Sequence, residues 1–95
     1  MAVRFMKSTA TPRFWQLLHA LPKDVQELAE KNYLLWLANP QHHSLRYKRL
    51  SGGGHRFSVR VGDHYRAIAW KLDDGGVEWV WIGSHAEYDQ LLKRT

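Results

Sequence analysis

The hydrophobic pattern changes period halfway along the chain. In the first half, Phe14, Leu17, Leu18 and Leu21 recur at helical spacing. Val25, Leu28, Ala29, Tyr33 and Trp36 then keep to one broad apolar stripe, with Asp24, Glu27, Glu30 and Lys31 mostly outside it. Thr11-Pro12 predicts an N-cap followed by proline in the first helical position. Pro22 interrupts the pattern and starts a second helix, which Asn39-Pro40 ends, because proline lacks a donor and disfavours helix in the residue before it. Two helices joined this tightly predict a hairpin or a bent pair. Residues 3–7 predict a short first strand.

In the second half the period falls to two. Arg56 to Val61 alternates strictly, as a half-buried strand does. Turn residues at 62–64 and 73–76 separate it from strands predicted over Tyr65–Leu72 and Val77–Ile82. Ser84 followed by Glu87 is a capping box, and Leu91 and Leu92 give the short helix after it an apolar edge. The predicted class is α+β: a helical hairpin packed on a small antiparallel sheet, then a short C-terminal helix. Trp79 and Trp81 are expected on one strand face, as core or as a stacking surface for a base.

Length and composition bound the picture further. The chain's 95 residues predict a single domain spanning 1–95, with one modest core. No Cys is present, which excludes disulfides, thiolate nucleophiles and Cys-ligated metal sites. No apolar run approaches the length of a membrane span, and the first residues lack a signal-peptide core, so a cytoplasmic protein without membrane association is expected.

The net charge of +5 is unevenly spread. Residues 41–66 hold Arg46, Lys48, Arg49, Arg56, Arg60 and Arg66 against a single acid, Asp63, and also four of the six histidines. Such a segment suits a polyanion or an acidic protein, or is simply a basic surface. Alternation turns Phe57, Val59 and Val61 towards the helices and Arg56, Ser58 and Arg60 to the other face, which is left open to a ligand. Arg66 opens the next strand close to Arg60, and two guanidiniums on one face can hold a phosphate. The plainer reading is a solvated strand face, with pairing to Glu78. His85 follows the third strand and suits proton transfer, and Tyr88 is its neighbour on the helix face. These two also read simply as a surface residue and a half-buried ring. His42-His43 lack a metal-ligand spacing, Gly52-Gly53-Gly54 reads as a flexible loop, and neither a metal nor a cofactor is expected.

Two segments carry a family likeness. Phe57-Ser58-Val59-Arg60-Val61-Gly62-Asp63-His64-Tyr65-Arg66-Ala67-Ile68 resembles the strand pair of RelE/ParE-superfamily toxins. Trp81-Ile82-Gly83-Ser84-His85-Ala86-Glu87-Tyr88-Asp89 resembles their C-terminal motif. Together the likeness covers roughly residues 43–92. It implies the toxin half of a bacterial type II toxin–antitoxin module, with the antitoxin's acidic segment over the basic surface. Many such proteins act in the ribosomal A site and cleave messenger RNA without a metal. The ParE branch inhibits DNA gyrase instead, and an inactive relic that only binds antitoxin is a third possibility.

Position by position, the resemblance implies catalytic roles for Arg60, Arg66, His85 and Tyr88. It implies RNA or phosphate binding for Arg46, Lys48 and Arg49, and the basic strand face adds Arg56. Two departures stand out. Several nuclease members carry another basic residue where this chain has Ser58, and some use a carboxylate base in the segment before the loop, where this chain has none. Either difference allows slower cleavage or none.

Overall fold

The computed structural model describes residues 7–51 and 54–93. Its sheet has five strands in the order β1-β5-β4-β3-β2. They are β1 (Ser8–Ala10), β2 (Lys48–Arg49), β3 (Arg56–Val61), β4 (Tyr65–Lys71) and β5 (Val77–Ser84). Three helices accompany them: α1 (Pro12–His19), α2 (Lys23–Ala38) and α3 (His85–Lys93).

The helical hairpin follows from its caps. Thr11 Oγ1 accepts the Phe14 N–H at 3.1 Å, and Pro12 occupies the first position of α1. Pro22 breaks the helix and starts the next, its carbonyl accepting the N–H groups of Val25 and Gln26 at 3.0 Å each. Gln26 Nε2 ties the joint by donating to Leu21 O at 2.9 Å. The second helix closes where the Asn39 N–H reaches Leu35 O at 2.8 Å.

The hairpin covers one face of the sheet. Trp36, Leu45, Phe57, Val59, Val61, Ala67, Ala69, Val77, Trp79 and Ile82 form the main core there. Trp36 meets Trp79 edge-on at 5.2 Å between ring centroids and stacks parallel to Phe57 at 6.4 Å. Gly62 makes the β3–β4 turn at φ +62°, with Leu28 packed so close that a Cβ would collide with it.

The sheet differs from the sequence expectation in three ways. It is mixed, because β1 lies parallel to β5 at the edge, with Ser8 opposite Val77 and Ala10 opposite Trp79. This strand begins at Ser8; of the expected strand over 3–7, residues 3–6 lie outside the described residues, as do Gly52 and Gly53 of the glycine loop. The sheet also has a two-residue edge strand, β2, too short to show a period. Finally, Trp79 and Trp81 are on opposite faces. Ile68 pairs with Trp81 while its neighbour Ala69 pairs with Trp79, so Val80 is an extra residue in β5. This bulge moves Trp81 off the hairpin core and into the cluster beneath α3.

The second sheet face is only half open. Helix α3 folds over it, packing Tyr88, Leu91 and Leu92 against Leu50, Ile68, Val80 and Trp81. Its start is fixed by the expected capping box, with Ser84 Oγ accepting the Glu87 N–H at 3.1 Å and Glu87 Oε1 accepting the Ser84 N–H at 3.0 Å. The His85 N–H also donates to His64 O in the β3–β4 turn at 2.7 Å. Among the described residues no helix is long and apolar enough to cross a membrane.

Candidate functional site

Beside α3, the second sheet face forms a groove of about 490 Å³. Arg60 and Arg66 are direct cross-strand partners on β3 and β4, and Lys48 stands opposite Ser58 on the same face. Arg46 reaches the groove from a left-handed turn (φ 49°) that closes the short 3₁₀ segment His43–Leu45, which the wholly buried Leu45 anchors. His85 and Tyr88 enter from the first turn of α3. Six of the eight residues singled out in the sequence thus line one groove: Arg46, Lys48, Arg60, Arg66, His85 and Tyr88.

The cations are not equally free. Arg60 is tied locally: Nε donates to Gly62 O at 2.9 Å and Nη2 pairs with Asp63 Oδ1 at 2.5 Å. The pairing with Glu78 does not occur, because Glu78 stands opposite Trp70 near the far end of the sheet. Arg66 gives one bond, Nη1 to Tyr65 O at 2.8 Å, and its remaining donors have no partner among the described residues. Burial, and then the neighbouring Arg60 charge, lower its pKa from the ordinary value. It remains a cation at neutral pH, since arginine starts so far above it. Like charges set directly opposite across two strands repel. An anion bound between them removes that cost.

Two partners escaped the sequence reading. Asp89 Oδ2 lies 3.3 Å from His85 Nδ1, one helical turn on. The i, i+4 spacing was the available signal. With Nδ1 facing Asp89, Nε2 is the ring nitrogen without a hydrogen-bond partner among the described residues. Ser58 is 2% exposed and its Oγ bonds Tyr88 Oη at 2.9 Å, fixing the phenol against the groove floor. Strand alternation placed Ser58 on this face, but only the folding of α3 supplies its partner.

Arg49 and Arg56 do not join the groove. They line a separate hollow at the rim of the sheet. His42 and His43 stack on each other at 4.5 Å, and His42 Nδ1 accepts the Ser44 N–H at 3.2 Å, capping the 3₁₀ segment.

A hairpin on one face of this sheet and a short helix on the other is the architecture of small RelE-type toxins. The RelE–RelB complex of the archaeon Pyrococcus horikoshii OT3 matches with a TM-score of 0.69 and 18% identity, over 85% of this chain and 96% of that one. The isolated RelE toxin of E. coli matches with a TM-score of 0.65 and 18% identity, over 96% of this chain and 98% of that one. YafQ of E. coli matches with a TM-score of 0.66 and 15% identity, over 87% and 97%. No curated relative matches the sequence. The ParE-like toxin domain family matches residues 23–90, and the chain belongs to that family.

Proposed function

We propose that the protein is the toxin of a type II toxin–antitoxin module and a metal-independent endoribonuclease that cleaves messenger RNA on the ribosome. The observation that carries this reading is the Arg60–Arg66 cross-strand pair in one groove with His85.

RNA brings its own nucleophile. The 2′-oxygen attacks the adjacent phosphorus, the P–O5′ bond breaks, and a 2′,3′-cyclic phosphate and a 5′-hydroxyl result. The attacking hydroxyl loses a proton and the leaving oxygen gains one, so the protein supplies proton transfer and positive charge. Arg66, with most of its donors unengaged, and Arg60 clamp the nonbridging oxygens and offset the charge that develops there. His85, oriented by Asp89, is the proton-transfer group. Tyr88, its hydroxyl bonded to the buried Ser58, forms the part of the groove floor against which the reacting ribose is positioned. Lys48 and Arg46 hold neighbouring phosphates, which makes binding salt-dependent.

The solved RelE–RelB and RelBE complexes hold a toxin with its antitoxin. We extend that arrangement to this chain: an acidic antitoxin segment covers the groove and blocks RNA. A second reading draws on the ParE-like family match, and makes the protein an inhibitor of DNA gyrase.

Primer extension on a defined messenger in a reconstituted translation reaction separates the two. The nuclease reading expects discrete breaks within codons at the A site, lost in His85→Ala. Intact message with the wild-type chain overturns it, and loss of supercoiling by purified gyrase in the same preparation then establishes the second reading.

A further inference from the structure

The cations missing from the groove gather elsewhere. Strand β2 ends on Arg49, β3 begins on Arg56 and β4 ends on Lys71. Three strand ends therefore bring three cations to one rim of the sheet. With His55 and Tyr47 they line a hollow of about 170 Å³. The Lys71 N–H donates to His55 O at 2.7 Å, which fixes the rim where the loop enters β3.

The hollow is built on aromatic supports. Lys71 Nζ lies over the Tyr47 ring at 5.4 Å, and Tyr47 in turn stacks on the buried Phe57 at 5.1 Å. Arg56 lies over Trp70 at 5.6 Å. Gly54 adopts φ +74° against that same tryptophan, where a Cβ would collide with the ring. Two of the three cations thus lie over rings, Lys71 over Tyr47, which rests on the core, and Arg56 over the exposed Trp70, and no carboxylate lines the hollow. The ion pairs among the described residues involve other groups: Lys7 with Asp74, Arg60 with Asp63 and His85 with Asp89. Arg56 makes one hydrogen bond among the described residues, Nη2 to Ser51 O at 3.3 Å.

Three cations without a counter-charge repel one another, and a bound anion relieves that. The small volume suits a compact group. Donors that converge from several strands suit a tetrahedral phosphate better than a planar carboxylate. Arg56 shares the groove face with Arg60, four residues or roughly 13 Å away at a strand rise of about 3.3 Å. Arg49, opposite Phe57, and Lys71, opposite Val77, stand on the hairpin side, so the rim lies where an RNA strand leaving the groove rounds the end of the sheet. We infer that this rim is a second phosphate site, which holds a backbone phosphate of the RNA strand a few nucleotides away from the one in the groove. The inference rests on RNA being the substrate, as proposed above. It adds a fixed length of strand to what the protein recognises.

The test uses the full chain and 2′-O-methyl RNA, which binds but lacks the nucleophile. Binding of a decanucleotide and of a dinucleotide is measured across a salt series for wild type and Arg49→Ala/Lys71→Ala. Both replaced residues are exposed, and a melting curve checks the fold. The expected result is several-fold weaker decanucleotide binding, a salt slope shallower by about 0.7 per cation removed, and unchanged dinucleotide binding. Equal weakening of both oligonucleotides, or no change in either, overturns the site. So does intact RNA binding with weakened binding of a glutamate-rich peptide, which would assign the rim to a protein partner. Because nothing is cleaved, this outcome is independent of primer extension: full RNA binding beside intact message overturns only the nuclease reading.

Discussion

The two faces of the sheet are made by alternate residues of the same strands, yet they obey different rules. Towards the hairpin, Phe57, Val59 and Val61 meet Trp36 and Trp79 in a closed apolar core. On the other side, Arg60 stands opposite Arg66 and Lys48 opposite Ser58, beside a helix that covers only part of the surface. One face lowers the free energy of the fold. The other gathers like charges at some cost to it, which is what a site awaiting an anion looks like. A step of one residue along β3, from Val59 or Val61 to Arg60, therefore exchanges a core position for a charged groove position.

The largest effects test that division directly. Phe57→Ala is expected to cost about 3–5 kcal/mol, a large share of the roughly 5–15 kcal/mol that holds a domain folded, so its urea midpoint collapses. Arg66→Ala is expected to leave that midpoint nearly in place while cleavage slows by about 100- to 1000-fold. If Arg66→Ala unfolds the chain, or cleaves at the wild-type rate, the division of faces fails.

A subtler case is the pair that crosses from β3 to α3. Ser58→Ala leaves the buried Tyr88 hydroxyl without its partner, for an expected loss of about 1–3 kcal/mol. Adding Tyr88→Phe removes the orphaned group, so the double variant should lose less than the two single losses combined. Strict additivity in urea titrations would mean the bond carries nothing.

The smallest effect lies at the helix cap. Ser84→Ala is expected to cost about 1 kcal/mol. Hydrogen bonds from the Ser84 backbone and then its side chain lower the Glu87 pKa from the ordinary value of 4.5. Its contribution is therefore fully present above that value and lost as pH falls through the lower folded one. Glu87→Gln should flatten the acid limb of stability against pH, and an unchanged limb would place that dependence elsewhere.

Much of this was legible in local sequence. The alternation of β3, the turn at Gly62-Asp63 and the Ser84–Glu87 box each depend on residues close together, so each could be read directly. What escaped depends on distant partners. Strand β1 exists because Ser8–Ala10 meets β5 about seventy positions later. The bulge at Val80 has no marker such as glycine, and it reversed the placement of Trp81. For the candidate groove, charge density pointed to the segment that supplies four of its cations, Arg46, Lys48, Arg60 and Arg66. It could not separate Arg49 and Arg56 from the groove, because three strand ends, far apart in the chain, define their rim. Asp63 stands three residues from Arg60, and it is the turn after β3 that folds it back onto that guanidinium.

Strand β2 carries a further consequence. A sheet that ends in open solvent offers unpaired backbone groups on which another chain can grow, and this edge is two residues long and consists of Lys48 and Arg49. Identical edges from two molecules meet charge against charge, which slows self-association. A polyanion that neutralises those residues takes the barrier away. Crowded on RNA or on an excess of acidic peptide, the protein should therefore be more prone to aggregate than when it is free.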